Sequence, residues 1–346
     1  MRVRTFARSL VMVGATLALL AVLPVSGAAL AQPAQTITVK MADALPTTHY
    51  VSVNAAKPWM DRVVQLSKTK VVFQYYPSEQ LGKTNDMPTI LRTGVADIVG
   101  LPSLPGEFPL RTFFNLPGLH YTTADGSRTY QQMLKGGPLR EELTKKGIRP
   151  LFDWTIPAYE IFSSRKAIAK PEDVKGLKIR SAGGAQDLEV EILGGVSVQI
   201  PGPDLYIGVQ RGTVDAAMMP YTSAQSYKLQ EICKYATLGA GLGESTWSYS
   251  ISEQSWQKLP ADVREAMTKA SEEMLPVITK YQDDQTIQVA SSFEKQGVQI
   301  KRLSKDEQAR WAKALEPVTE QWIKQMEAKG LPGKSLVDAW KKVAGR

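Results

Sequence analysis

One local pattern occurs twice in this chain and restricts the folds open to it. Thr93-Gly-Val-Ala-Asp97 runs into Ile98–Leu101 and then Pro102-Ser103, and Arg211-Gly-Thr-Val-Asp215 runs into Ala216–Met219 and then Pro220. In each copy a glycine closes a helical stretch, because glycine enters the left-handed region without steric cost. A short apolar strand follows, and a proline, which cannot donate to a ladder, marks its end. Ligands of open α/β sheets sit outside such carboxyl ends. Two halves of this kind facing one another place residues 101–104, including Ser103, opposite residues 219–223, including Met219 and Tyr221, across a cleft. Coincidence between two short βα turns is the competing reading, since such connections are common.

The rest of the chain supplies the elements that two halves need. Thr36–Met41 alternates like a strand, and His49–Ser67 has helical apolar spacing. Val71–Tyr76 is β-rich and stops at Pro77, Asp86–Arg92 reads as a helix, and Ala96–Leu101 returns as a strand. That succession predicts an open parallel α/β layout. Gly147–Trp154 continuing through Ala158–Ser164, with a break near Pro157, and Glu244–Ser252 carry the Thr, Tyr, Trp and Ile content of extended segments. These two are the expected hinge strands, near 154–159 and 244–249. A long helical region from Ala261 toward Gln296, a strand-like 297–302 and two terminal helical segments complete the chain. The expected division is one lobe from 32–157 and 246–285, and a second from 158–245 and 286–346.

The N-terminus reads as an export signal. Arg2, Arg4 and Arg8 precede an apolar run from Leu10 to Val25, and Ala29-Leu-Ala31 offers small residues for cleavage. That run contains Gly14, Thr16 and Pro24 and is short for a spanning helix, which needs about 20 apolar residues. Residues 1–31 are therefore expected to be removed near Ala31, leaving a periplasmic protein. The chain carries 42 Lys and Arg against 34 Asp and Glu, a formal +8, and the leader holds three of the arginines and no acid. The remaining charges are dispersed, which favours solubility and does not indicate nucleic acid. The single cysteine, Cys233, permits no internal disulfide, so stability rests on apolar cores that this length can supply.

Several chemistries fail on spacing. Gly82-Lys-Thr84 has Pro77 where a phosphate loop needs its first glycine, and Gly239-Ala-Gly-Leu-Gly243 leads toward a strand instead of opening a helix. There is no Gly-x-Ser-x-Gly elbow and no His-Glu-x-x-His helix. The two histidines, His49 and His120, lie far apart without a local ligand pattern, so each reads as a polar cleft or surface residue, and no metal or cofactor is expected.

Arg180, the last residue of Leu177-Lys-Ile-Arg180, is the strongest binding candidate. Its planar guanidinium presents a rigid fork matched to a carboxylate. A solvated strand end, or a salt bridge to Asp173 or Asp187, is the plain alternative. The next residues, Ser181-Ala-Gly-Gly-Ala-Gln-Asp187, form a small-residue turn into a helix whose backbone N–H groups would favour the same anion.

The central block from Pro171 to Pro220, with Tyr76-Pro-Ser-Glu-Gln-Leu-Gly82, Leu91-Arg-Thr-Gly-Val-Ala-Asp97 and Phe293-Glu-Lys-Gln-Gly-Val-Gln299, resembles the dicarboxylate-receptor-type (DctP) solute-binding proteins of TRAP (tripartite ATP-independent periplasmic) transporters in order and spacing. The resemblance covers essentially the whole chain after the leader. It implies a periplasmic-binding-protein-like fold of two α/β lobes closing on a ligand, with Arg180 binding a carboxylate. It also implies delivery to small and large membrane permease subunits, without catalysis.

Two departures bear on the ligand. Met219 stands where the family often has asparagine, and Glu160 stands where the sialic-acid branch has a second arginine. Met218, Met219, Tyr221, Trp154, Tyr159 and Trp247 could wall an apolar or aromatic acid, or simply fill the core. The expectation is therefore a monocarboxylate with an apolar, aromatic body. The competing classes are a periplasmic enzyme using Glu160 or Asp153 as base and a binding lobe that serves a sensor.

Overall fold

The structure, a computed structural model, describes residues 36–120 and 122–345, so the expected leader lies outside the described residues. Among the described residues eleven strands form two sheets. In chain order they are β1 (Ile37–Ala42), β2 (Val71–Tyr76), β3 (Ile98–Leu101), β4 (Ile148–Ile156), β5 (Glu160–Ser163), β6 (Lys178–Ser181), β7 (Val196–Gln199), β8 (Ala216–Met219), β9 (Tyr235–Leu238), β10 (Ser245–Ser252) and β11 (Gln299–Arg302). The first sheet has the order β2-β1-β3-β10-β4 and the second β11-β9-β5-β8-β6-β7. Both copies of the repeated pattern end on a central strand, β3 in one sheet and β8 in the other.

The sheets are mixed rather than wholly parallel. β1 runs parallel to β2 and β3, but β10 pairs antiparallel with both β3 and β4. In the second sheet β5 is antiparallel to β8 and β9, while β6 runs parallel to β7 and β8. The reversed strands adjoin the places where the chain changes sheets. It passes from β4 to β5 through residues 157–159 and returns from β9 to β10 through residues 239–244. The crossings touch, with Tyr159 N–H donating to Gly243 O at 3.2 Å.

The helix expected over His49–Ser67 begins irregularly. Ser52–Ala56 is a π-turn, closed by Lys57 N–H on Ser52 O, and Lys57–Leu66 continues as α-helix. Pro58 explains the wider turn, because it lacks an N–H and its ring crowds the carbonyl four residues back.

The helix Ala261–Lys295 serves both sheets. Trp59 Nε1 donates to its Ser271 at 2.9 Å and its Gln282 donates to Tyr50 Oη at 2.8 Å, whereas Phe293 packs against the Phe162 and Tyr221 rings. The terminal helices depart from the expected division. Trp322 and Trp340 both pack on Phe113, between β3 and β4, and Trp322 Nε1 donates to Thr112 at 2.8 Å. The helix Pro317–Ala328 also packs on Ala185–Ile192, so the C-terminal segment bridges the halves. Among the described residues no helix is long and apolar enough to cross a membrane.

Candidate ligand-binding site

A cavity of about 510 Å³ opens at the carboxyl ends of β3 and β8, walled by both halves. The first half contributes Leu45, His49, Tyr50, Pro102, Ser103 and Trp247, and the second Tyr159, Arg180, Gln199, Met219, Ser223 and Tyr227. The halves approach closely beside it. A Cβ on Gly183, whose φ is +89°, would lie 2.8 Å from Pro105 Cγ.

Arg180 sits on β6 between β7 and β8, and its side chain spans their ends. Nε donates to Ile200 O at 2.7 Å and Nη1 to Met218 O at 3.0 Å. The residue is only 4% exposed, yet no carboxylate among the described residues lies within ion-pairing distance of it. Asp173 and Asp187, the alternative partners, are engaged elsewhere. Asp173 accepts from Ala169 and Lys170 N–H, and Asp187 from Ser181, Ser197 and Gln199. Burial pulls the guanidinium below its ordinary pKa, with the Tyr159 and Tyr227 hydroxyls opposing that shift. A desolvated cation held by neutral groups, two carbonyls and the Tyr159 hydroxyl, is costly until an anion joins it.

The small-residue turn after Arg180 does not offer its first amides to an anion. Ala182 N–H donates to Gln186 Oε1 at 2.9 Å and Gly183 N–H to Ser181 Oγ at 3.1 Å. Buried amides take the nearest acceptor, and here the helix supplies its own.

The structure brings Arg180, Met219, Tyr159, Ser103, His49 and Trp247 to the cavity, whereas Trp154, Tyr221 and Glu160 are not among its lining residues. Trp154 is paired across the ladder with Trp247 but lies wholly inside the first sheet's core, between Phe152 and Tyr249. Tyr221 packs against Phe162 and Phe293, and its hydroxyl donates to Thr237 O at 2.7 Å. Glu160 accepts from Thr237 Oγ1 and Gly239 N–H, each at 2.6 Å, and from Ala240 N–H at 3.2 Å, so it anchors the returning crossing. Asp153 is likewise buried away from the cavity. Neither carboxylate put forward as a base therefore borders the space a ligand would fill.

Ser223 falls within the 219–223 segment expected at the cleft, whereas Tyr227 lies beyond it, and a helical signal links the two. The helix Tyr221–Ser226 begins directly after Pro220, and positions four apart share a face. Ser223 and Tyr227 thus point one way and Tyr221 another. Tyr50 and Gln199 had no comparable sequence mark.

Glu189 closes the other side of the returning crossing, where both its oxygens accept from Gly243 N–H at 3.1 and 3.0 Å. Burial raises its carboxyl to about 8, Asp153 and Glu142 to about 7 and Asp43 to about 6. Unfolded, such groups ionise near ~4. The folded state therefore holds more protons across that interval, and stability falls as pH rises through it. His49 acts oppositely, since burial lowers it to about 3, but its contribution is complete above the unfolded value of ~6.5. The urea midpoint is expected to decline between about pH 6.5 and 8, and Glu189→Gln to flatten the decline. A midpoint that climbs over this range contradicts the assignment.

The family model described as DctP, bacterial extracellular solute-binding protein, family 7, matches residues 41–325. A solute-binding protein of Albidiferax ferrireducens is 30% identical over 254 residues, covering 72% of this chain and 74% of that protein. The C4-dicarboxylate-binding periplasmic protein DctP of Rhodobacter capsulatus is 26% identical over 323 residues, covering 92% and 94%. In fold, the chain is similar to a marine metagenome TRAP solute-binding protein specific for aromatic acid ligands, solved with 3-hydroxybenzoate. The TM-score is 0.83 at 23% identity, covering 90% of this chain and 98% of that one.

Proposed function

The chain belongs to family 7 of the bacterial extracellular solute-binding proteins, and on that premise we propose that it is the receptor of a TRAP transporter for an organic monocarboxylate with an apolar, aromatic body. Arg180 binds the carboxylate, the halves carrying β3 and β8 close around the body, and the ligand is released unchanged to small and large permease subunits. Export with cleavage near Ala31 would place the receptor in the periplasm. The lobes would meet where the chain passes between the sheets, at residues 157–159, at 239–244 and along the helix Ala261–Lys295.

One observation carries this reading: a buried guanidinium without a carboxylate partner among the described residues borders a two-sided cavity. The volume lies in the range of small-molecule sites. Met219, Leu45 and Trp247 supply apolar wall, and burying a ring there contributes about 25 cal/mol per Å² removed from water. A second charged group on the ligand would lack a partner of Arg180's kind. The fold neighbour holding 3-hydroxybenzoate supports the capacity of this architecture to enclose such a body, while the C4-dicarboxylate relative makes a small dicarboxylate the alternative to be tested.

A thermal-shift panel on ligand-stripped protein tests the reading. Native-state binding raises apparent stability by ~2.7 kcal/mol at a hundredfold excess over Kd. Aryl monocarboxylates are expected to raise the transition most, with the ligand recovered intact after stoichiometric binding. Tight binding of a sugar acid or a small dicarboxylate with aryl acids inert would overturn the apolar body, and turnover would overturn the receptor.

A further inference from the structure

His49 is 3% exposed, lines the cavity and has a fixed proton. Its Nδ1 lies 3.2 Å from Val51 N, and a backbone N–H can only donate, so Nδ1 is the lone-pair nitrogen. The proton of the neutral ring is therefore on Nε2. Burial holds the imidazole near 3, so it stays neutral at ordinary pH. The ring is oriented by Tyr50 and Tyr227, with centroids at 4.8 and 5.0 Å.

Nε2 is buried and has no hydrogen-bond partner among the described residues. Several other polar groups of the wall are engaged. Ser103 and Ser245 hydroxyls lie 2.9 Å apart, Tyr50 Oη accepts from Gln282, and Gln199 donates to Asp187 at 2.6 Å. A buried donor left unmade carries the desolvation cost of that group, and a ligand acceptor would remove it.

We infer that His49 reads a second oxygen on the ligand, apart from the carboxylate held by Arg180, so that the site prefers acids bearing a hydroxyl or keto oxygen on their body. This inference rests on the proposed role of Arg180. It assigns Arg180 to the shared feature of the ligands and His49 to the choice among them. A site built to hydrogen-bond such an oxygen rejects the analogue lacking it far more strongly than an apolar wall distinguishes one methylene.

Calorimetry with matched probes tests it: benzoate against its three hydroxybenzoates, and phenylacetate against mandelate and phenylpyruvate. At least one oxygenated acid is expected to bind about tenfold or more tightly than its parent. In His49→Phe that ratio should collapse toward one, and in His49→Gln, which keeps a donor, it should partly survive. Thermal melts of the unliganded variants establish that they fold. Equal affinity within every pair, a ratio that survives in His49→Phe, or an equal loss for parent and oxygenated acids would each overturn the inference. Arg180→Lys separates the two claims. If it weakens every acid while the ratio ignores His49, only the inference falls; if acids bind without regard to Arg180, or none binds, the underlying reading falls with it.

Discussion

Arg180→Ala is expected to weaken acid binding by about 2–5 kcal/mol, the range for truncating one side of a buried, hydrogen-bonded charge pair. Arg180→Lys should also bind poorly. An ammonium on a flexible stem cannot hold Ile200 O and Met218 O while presenting a planar fork to a carboxylate. Because those carbonyls end or follow neighbouring strands, the variants need a stability measurement beside the calorimetry. A folded Arg180→Ala protein with near-native affinity would remove Arg180 from the site.

Gly243→Ala is expected to be the most damaging single methyl addition at the crossings. The new Cβ would lie 1.8 Å from Asn115 O and 2.5 Å from Glu189 Oε1. The first is a backbone atom, and Asn115 is itself pinned by its Nδ2 donating to Glu244 O at 2.7 Å. Nothing at this point can yield cheaply, so the loss should reach roughly 3 kcal/mol or more, the upper end for overpacking. Gly241→Ala is the control. Its φ is +64°, but no atom waits within 4 Å, so only the left-handed conformation is penalised, at about 1–2 kcal/mol. Equal urea midpoints for the two variants would show that the chain has room at Gly243.

These two positions differ in how far the sequence reveals them. Arg180 was visible because it ends a short strand before a small-residue turn, a local arrangement with a local chemical meaning. Gly243 was visible only as part of a glycine-rich run that failed as a nucleotide motif. Its importance comes from Asn115 and Glu189, which approach from distant parts of the chain.

Local sequence was enough for β1, β2, β3 and β8, for the recurrence on β8 of the pattern ending on β3, and for placing Arg180, Ser103 and Met219 at or just past strand ends. Each depends on periodicity, turn chemistry or the position of a proline, which act over a few residues. Local sequence did not mark β7, β9 or the helix Thr123–Met133. Only the tertiary structure decided which face looks inward to the cavity. β8 is apolar on both sides, so alternation could not orient it, and Tyr221 took the core while Ser223 and Tyr227 took the cleft. Glu160 could have met a ligand, but Thr237 of β9 and two backbone donors of the returning crossing reached it first. The antiparallel crossing strands and the bridging C-terminal helices were settled the same way, by contacts between residues far apart in the chain, where burial and hydrogen-bond satisfaction outweigh local preference.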